Sequence, residues 1–238
     1  MSHARGPLLL VPNLLGAVPP EDVLPARTID LARTVEHWVV ETPKAARAFL
    51  KSLSLPRPIA ELSIAPLEAD ASAAGLASLL SPARHGHPVG FVSDAGAPGV
   101  ADPGAALVAA AHASGIRVVP LVGPSAVLLA LMASGLSGQA FAFHGYLPVA
   151  EAARSARLRE LEADSRLHAR TQVFIETPYR NAAMLAALVA TLAPRTRLAV
   201  AADLTTPSES VVMRPVAAWR GADVAGWQRR PAIFLFQA

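Results

Sequence analysis

The chain has 238 residues, 53% of them hydrophobic and 16% charged, with a formal net charge of +3 and no cysteine. Such an apolar content supplies a core and excludes a disordered chain, while the missing cysteines exclude a disulfide scaffold, thiolate catalysis and cysteine-ligated metal sites. So small a net charge disfavours bulk nucleic-acid binding, and any such contact has to come from a local patch.

Mean hydropathy is +0.38, which raises the question of membrane spans. The longest apolar stretch, 105–136, is interrupted by His112, Arg117, Pro120 and Pro124, short of the roughly 18–20 clean apolar residues a span needs. Near the start, Leu8-Leu9-Leu10-Val11 stops at Pro12 and Asn13, too early for the apolar region of a signal peptide. The expectation is a soluble, cytoplasmic protein.

In chain order, residues 8–12 and 38–41 read as strands, 43–53 and 72–80 as helices, and 89–93 as a strand. A helix at 103–113, a strand at 116–121 and a helix at 124–133 follow. Next come a strand at 141–144, a helix at 151–168, a strand at 172–176 and a helix at 178–192. Strands at 198–202, 211–214 and 232–236 close the chain. Alternating strand and helix predicts an α/β fold with parallel strands in the first part. Beyond Leu198 little helix separates the strands, which predicts antiparallel pairing. The pair Ser137-Gly138 suggests a hinge, dividing the chain into domains 1–137 and 138–238.

Thr42-Pro43, Asp102-Pro103, Gly123-Pro124 and Thr177-Pro178 each follow a strand and open a helix. A capping residue accepts from otherwise unpaired N–H groups, and proline at the first helical position forgoes a donor without a partner. In open α/β sheets these junctions gather at the carboxyl edge, where ligands bind.

The densest loop runs over 93–104 and holds three Gly, two Pro and two Asp, long for a plain connector of about 2–6 residues. Its small residues let a ligand approach the backbone. Asp94 is expected to touch that ligand, and Asp102 to cap the next helix. No phosphate-binding glycine fingerprint is present, which disfavours NAD and ATP and with them a Rossmann dehydrogenase. No G-x-S-x-G supports a serine hydrolase. The histidines (His3, His37, His85, His87, His112, His144, His168) offer only His85-Gly86-His87 as a close pair, and no metal is expected. Arg159, Arg166 and Arg170 would share one side of a helix, either tracking a phosphate backbone or forming a solvated face among Glu160, Glu162 and Asp164. Trp219 and Trp227 are expected to pack in a core.

Taken together, these stretches resemble the tetrapyrrole (corrin/porphyrin) methylase superfamily, and within it the ribosomal RNA small subunit methyltransferase I branch. Ser93 to Gly104 is similar to that branch's SDAGTPLISDPG, and Gly115 to Ala126 to its GIRVVPLPGPCA. His144-Gly145-Tyr146-Leu147-Pro148 is similar to EGFLP, and Phe174 to Arg180 to FYESPHR. The resemblance implies two α/β domains with S-adenosylmethionine in the cleft between them, and a homodimer. By the family pattern Pro12, Asp94, Ala97, Ser125, Ala126, Glu176, Leu204 and Ala232 would contact this cofactor. It further implies ribosomal small-subunit RNA as the methyl acceptor at a ribose 2′-hydroxyl, with Glu41 or Glu209 as the base and Lys44 and Arg180 holding phosphate. A tetrapyrrole or other small acceptor is the alternative, as is a protein that binds S-adenosylmethionine without turnover. Three polar positions depart from the branch's pattern: its Asn is Ala17, its Asp is Thr42 and its Lys is Thr206. The branch's C-terminal extension is expected to be missing beyond Phe236.

Overall fold

The computed structural model describes residues 5–221 and 225–238, which leaves His3 outside the described residues. The chain forms two compact units, Met1–Ser125 and Ala126–Ala238. This division lies earlier than the hinge expected at 137/138. The reason is helix α7 (Ala126–Ser134), which packs on the strands of the second unit. Among the described residues no helix is long and apolar enough to cross a membrane.

In the first unit the strands are β1 (Leu8–Leu10), β2 (His37–Val40), β3 (Ser63–Pro66), β4 (Val89–Val92) and β5 (Val118–Pro120). They make one sheet in the order β3-β2-β4-β1-β5, and every pairing is parallel. Between them run α1 (Pro20–Val23), α2 (Ala26–Arg33), α3 (Pro43–Ser52), α4 (Ala73–Leu79), α5 (Ser81–Arg84) and α6 (Gly104–Ala113). Two apolar layers cover the sheet. Leu9, Val11, Trp38 and Val40 pack with Ile29 and Ala32 of α2 and Phe49 and Leu50 of α3. On the other side Leu8, Val39 and Phe91 pack with Leu76 of α4 and Leu107 and Ala111 of α6. Strand β4 is buried throughout, which is why it reads as a continuous apolar run rather than an alternating one. The connection leaving β1 therefore crosses one face, and the connection leaving its neighbour β4 crosses the other. Their loops part at the carboxyl edge, the arrangement that opens a ligand crevice in such sheets.

The second unit adds β6 (Phe141–Tyr146), α8 (Glu151–His168), β7 (Thr171–Glu176), α9 (Asn181–Thr191), β8 (Arg197–Ala202), β9 (Ser210–Pro215) and β10 (Ala232–Gln237). Its sheet order is β6-β7-β10-β8-β9. β6 and β7 run parallel, and the remaining pairs are antiparallel, as expected for the strands beyond Leu198. The core centres on Phe174, stacked on Phe234 with ring centroids 5.7 Å apart and meeting Phe236 edge-on at 6.2 Å. Trp219 and Trp227 are both buried and lie 6.0 Å apart, in agreement with their reading as packing residues.

Several expectations need correction. α1, α2 and β3 were not anticipated, and the helix expected from Pro124 starts only at Ala126. The helix expected over 178–192 is a short 3-10 turn, Pro178–Arg180, followed by α9. Arg170 lies beyond the end of α8 and pairs with Asp164 at 2.6 Å, while Arg166 faces Glu162 at 3.8 Å. Two of the three arginines considered for phosphate tracking are thus already occupied by carboxylates.

Candidate active site

Four loops of the first unit meet at the carboxyl edge of its sheet. The loop after β1 begins with buried Pro12 and Asn13. The Asn13 amide donates to the Ser93 carbonyl at 2.9 Å and to the Asp94 carbonyl at 3.0 Å. Its own carbonyl oxygen accepts from the Leu14 N–H, and its backbone N–H donates to the Gly96 carbonyl at 2.9 Å. Asn13 thereby clamps the start of the 93–104 loop. Gly96 takes φ +68°, and a Cβ there would meet Leu15 at 3.1 Å. Glycine supplies that left-handed turn without steric cost.

The loop after β2 joins the same cluster. Glu41 Oε2 accepts the Asp94 backbone N–H at 2.9 Å. In return the Asp94 carboxylate accepts the Thr42 N–H at 3.1 Å and the Thr42 hydroxyl at 2.7 Å. Thr42 was expected to cap α3, but its side chain makes no capping bond. Asp94 takes the hydroxyl instead, so Thr42 ties two loops together. Burial raises the pKa of Glu41 above its ordinary value; the Asp94 N–H opposes this, and the charges of Asp94 and Asp102 reinforce it. A carboxylate held in this way is a stronger base than a solvated one.

Asp102 was expected to cap α6, but Pro103 occupies the cap position and Asp102, one residue earlier, shapes the loop instead. Its carboxylate accepts the N–H of Gly104, the first residue of α6, at 2.7 Å, and the N–H of Gly99 at 2.8 Å. A Cβ on Gly104 would lie 2.2 Å from the Phe91 ring, so the start of α6 sits directly on β4. The loop after β5 approaches from the other side, where a Cβ on Gly123 would meet the Pro12 ring at 2.5 Å.

Of the residues expected from the sequence, Pro12, Asp94, Ala97, Ser125 and Glu41 belong to loops at this one edge, with Glu41 and Asp94 in direct contact. Lys44 is exposed in the first turn of α3, and Ala17 is exposed in the loop after β1. Ala126 starts α7 and belongs to the second unit.

In that second unit Glu176, Leu204 and Ala232 also gather at one sheet edge. Ala232 lies in register with Glu176 on one side and with Ala202 on the other, and Leu204 follows two residues after Ala202. The Glu176 carboxylate is buried and accepts from Arg180 at 2.9 and 2.6 Å and from the Thr177 N–H at 2.7 Å. Glu209 is exposed and accepts the Thr205 N–H at 2.7 Å, closing the loop after β8. Arg230 pairs with Asp203 at 2.6 Å at the base of the same loop. Thr206, where the related branch carries Lys, donates its hydroxyl to the Asp203 carbonyl at 2.8 Å. Sequence reasoning passed over Asn13. Its signal was an Asn at a strand end, a residue type that readily bonds nearby backbone groups. Among the described residues no group of three or more His, Asp or Glu is placed to hold a metal ion.

Comparison with known proteins agrees with this architecture. Residues 21–218 match the family Tetrapyrrole (Corrin/Porphyrin) Methylases. The ribosomal RNA small subunit methyltransferase I of Mycobacterium tuberculosis is 37% identical over 219 residues, covering 90% of this chain and 74% of that protein. The protein of the same name from Mesorhizobium japonicum is 44% identical over 133 residues, covering 56% of this chain and 44% of that protein. Among solved structures, the uroporphyrin-III C-methyltransferase of Thermus thermophilus in complex with S-adenyl homocysteine superposes with a TM-score of 0.53 at 20% identity, covering 98% of this chain and 97% of that one. By sequence and by fold, this chain belongs to the tetrapyrrole (corrin/porphyrin) methylase family.

Proposed function

We propose that this chain is an S-adenosylmethionine-dependent methyltransferase acting on small-subunit ribosomal RNA at a ribose 2′-hydroxyl. The observation that carries the reading is Glu41, a carboxylate of raised pKa fixed at the carboxyl edge by the Asp94 N–H. Methylation of a hydroxyl releases its proton, which must be taken during or after attack, and a base of raised pKa serves this better than an ordinary carboxylate.

The character of the edge suits the cofactor. Glu41, Asp94 and Asp102 make it acidic, and the small residues of 93–104 leave backbone groups within reach of a nucleoside. Such an edge repels polyphosphate and favours a cationic ligand. Pro12, Asp94, Ala97 and Ser125 would hold the cofactor there. When bound, S-adenosylmethionine supplies an electrophilic methyl group on a sulfonium. The protein's remaining work is alignment of the acceptor oxygen and acceptance of its proton at Glu41. Lys44, exposed two residues after Thr42, is placed to meet a backbone phosphate. The names of the relatives support ribosomal RNA as the acceptor. A cytoplasmic homodimer belongs to the same proposal, by resemblance to the family.

The test is transfer of labelled methyl from S-adenosylmethionine to small-subunit ribosomal RNA. The expected product is a single nucleotide linkage made resistant to alkaline hydrolysis. RNA that stays unlabelled, with cofactor bound to the protein, would overturn the choice of acceptor.

A further inference from the structure

The chain contains only two tyrosines, and both stand in solvent at one edge of the second sheet. Tyr146 ends β6 and is 59% exposed; Tyr179, just past the end of the adjacent parallel strand β7, is 82% exposed. All three tryptophans are buried, so this exposure is not a general property of the aromatic residues here. Tyr146 pairs in register with Ile175, and the ladder shifts between Phe143 and Tyr146. A shift of this kind re-aims the side chain that follows it. Gly145 makes the shift possible at φ +62°, and a Cβ there would meet nothing within 4 Å, so open space lies beside Tyr146.

The turn carrying Tyr179 is pinned rather than loose. The Arg229 N–H donates to the Pro178 carbonyl at 3.0 Å. Fully buried Asn181 donates to the carbonyls of Trp227 and Arg230 at 2.9 and 2.7 Å. Exposed Arg229 holds φ +60°, a conformation that costs a non-glycine residue energy and persists only where its surroundings enforce it. Arginines accompany both tyrosines, along the chain and in the adjoining turn. Arg180 follows Tyr179, Arg229 lies against Pro178, and Arg154 donates to the Val149 carbonyl at 2.9 Å in the loop after Tyr146. Segments 144–154 and 176–181 carry only Glu151 and Glu176 as carboxylates, and Glu176 is buried against Arg180.

We infer that Tyr146 and Tyr179 form a stacking platform for unpaired bases of the RNA substrate, with Arg229 and Arg154 facing its phosphates. The inference rests on the reading of the chain as an RNA methyltransferase and adds that the acceptor region is single-stranded. Every base presents a π face, so aromatic rings flanked by arginine bind single strands with little sequence preference, and pre-ordering the rings lowers the entropy lost on binding.

Binding of a fluorescein-labelled single-stranded fragment of small-subunit ribosomal RNA, and of its duplex, tests this alongside methyl transfer and cofactor titration. Tyr146→Ala and Tyr179→Ala are each expected to weaken single-strand binding about tenfold and to raise KM for RNA similarly. The affinity for S-adenosylmethionine should stay as in the wild type. Phenylalanine at either position, which keeps the ring, should recover most of what alanine loses. If wild-type protein methylates RNA while both alanine variants bind it within twofold of wild type, the platform is overturned. Equal losses on single strand and duplex would overturn it as well, because stacked bases in a duplex are not available to the rings. Wild-type protein that binds cofactor but neither binds nor methylates RNA would overturn the RNA reading itself, and the platform with it.

Discussion

Glu41 and Asp94 hold each other across the carboxyl edge of the first sheet. Glu41 accepts the Asp94 N–H at 2.9 Å, and the Asp94 carboxylate accepts both the N–H and the hydroxyl of Thr42, the residue after Glu41. Two loops that follow different strands become one rigid unit, and the carboxylate with the raised pKa sits inside it.

Glutamine in place of Glu41 keeps an acceptor for the Asp94 N–H but removes the base. Glu41→Gln is expected to lower kcat by about a hundredfold or more, with cofactor affinity within a few-fold of wild type. Wild-type activity should fall as pH drops through the raised Glu41 pKa, and this acidic limb should be absent from the variant's pH profile. The linkage to stability has the opposite sense. Because the folded state raises this pKa, the contribution of Glu41 to stability is present at low pH and lost as pH rises through the raised value. The variant should therefore be at least as stable as wild type at neutral pH.

Gly104 sits on the Phe91 ring while its N–H reaches Asp102. A methyl group at that position has no room. Gly104→Ala is expected to cost about 1–3 kcal/mol in urea unfolding and to weaken S-adenosylmethionine binding, since the Phe91 ring and the Asp102 carboxylate that shapes the 93–104 loop must give way. Unchanged affinity would show that the loop does not contact the cofactor.

Arg180 was expected to hold phosphate, yet its Nε and one terminal nitrogen both donate to Oε1 of the buried Glu176 carboxylate. Arg180→Ala leaves that charge without its cationic partner and is expected to destabilise the protein by about 2–4 kcal/mol. Arg180→Lys should recover only part of this, lacking the planar fork. Denaturant midpoints for both variants check the order.

Asp164 accepts from Arg170 and Gln172, each at 2.6 Å, and Gln172 accepts from His144. The Arg170 guanidinium holds its pKa below the usual value, with help from Gln172 and the charge of His168 against some desolvation. A lowered carboxylate pKa contributes stability above the unfolded value and loses it as pH falls through the folded one. Asp164→Asn should lower Tm by about 2–4 °C at neutral pH, and the gap should close in acid.

Much of this was legible in the residues. Strands such as Val89–Val92 and helices such as Glu151–His168 carry clear apolar runs or periodicity, and the glycine-rich segment after β4 marked the binding edge. β3 was missed because Ser63-Ile64-Ala65-Pro66 is a four-residue edge strand ending in proline, which weakens any strand signal. α2 was missed because no capping side chain marks its start: Pro25 holds the cap position and makes no side-chain bond. The unit boundary was displaced because the composition of α7 does not reveal which sheet it covers. At the site, the composition of the 93–104 loop identified Asp94 as a candidate, and the family resemblance identified Glu41. Their mutual bonds, the clamp by Asn13 and the pairing of Arg180 with Glu176 depend on contacts between distant segments, which spacing along the chain does not encode.

The most direct test of the central claim is isothermal titration of the purified protein with S-adenosylmethionine and, separately, S-adenosylhomocysteine. The account predicts binding of both with Kd in the micromolar range, about −8 kcal/mol, weakened by Gly104→Ala and not by Glu41→Gln. A folded protein that binds neither ligand would contradict it, leaving this chain with the family's fold and not its chemistry.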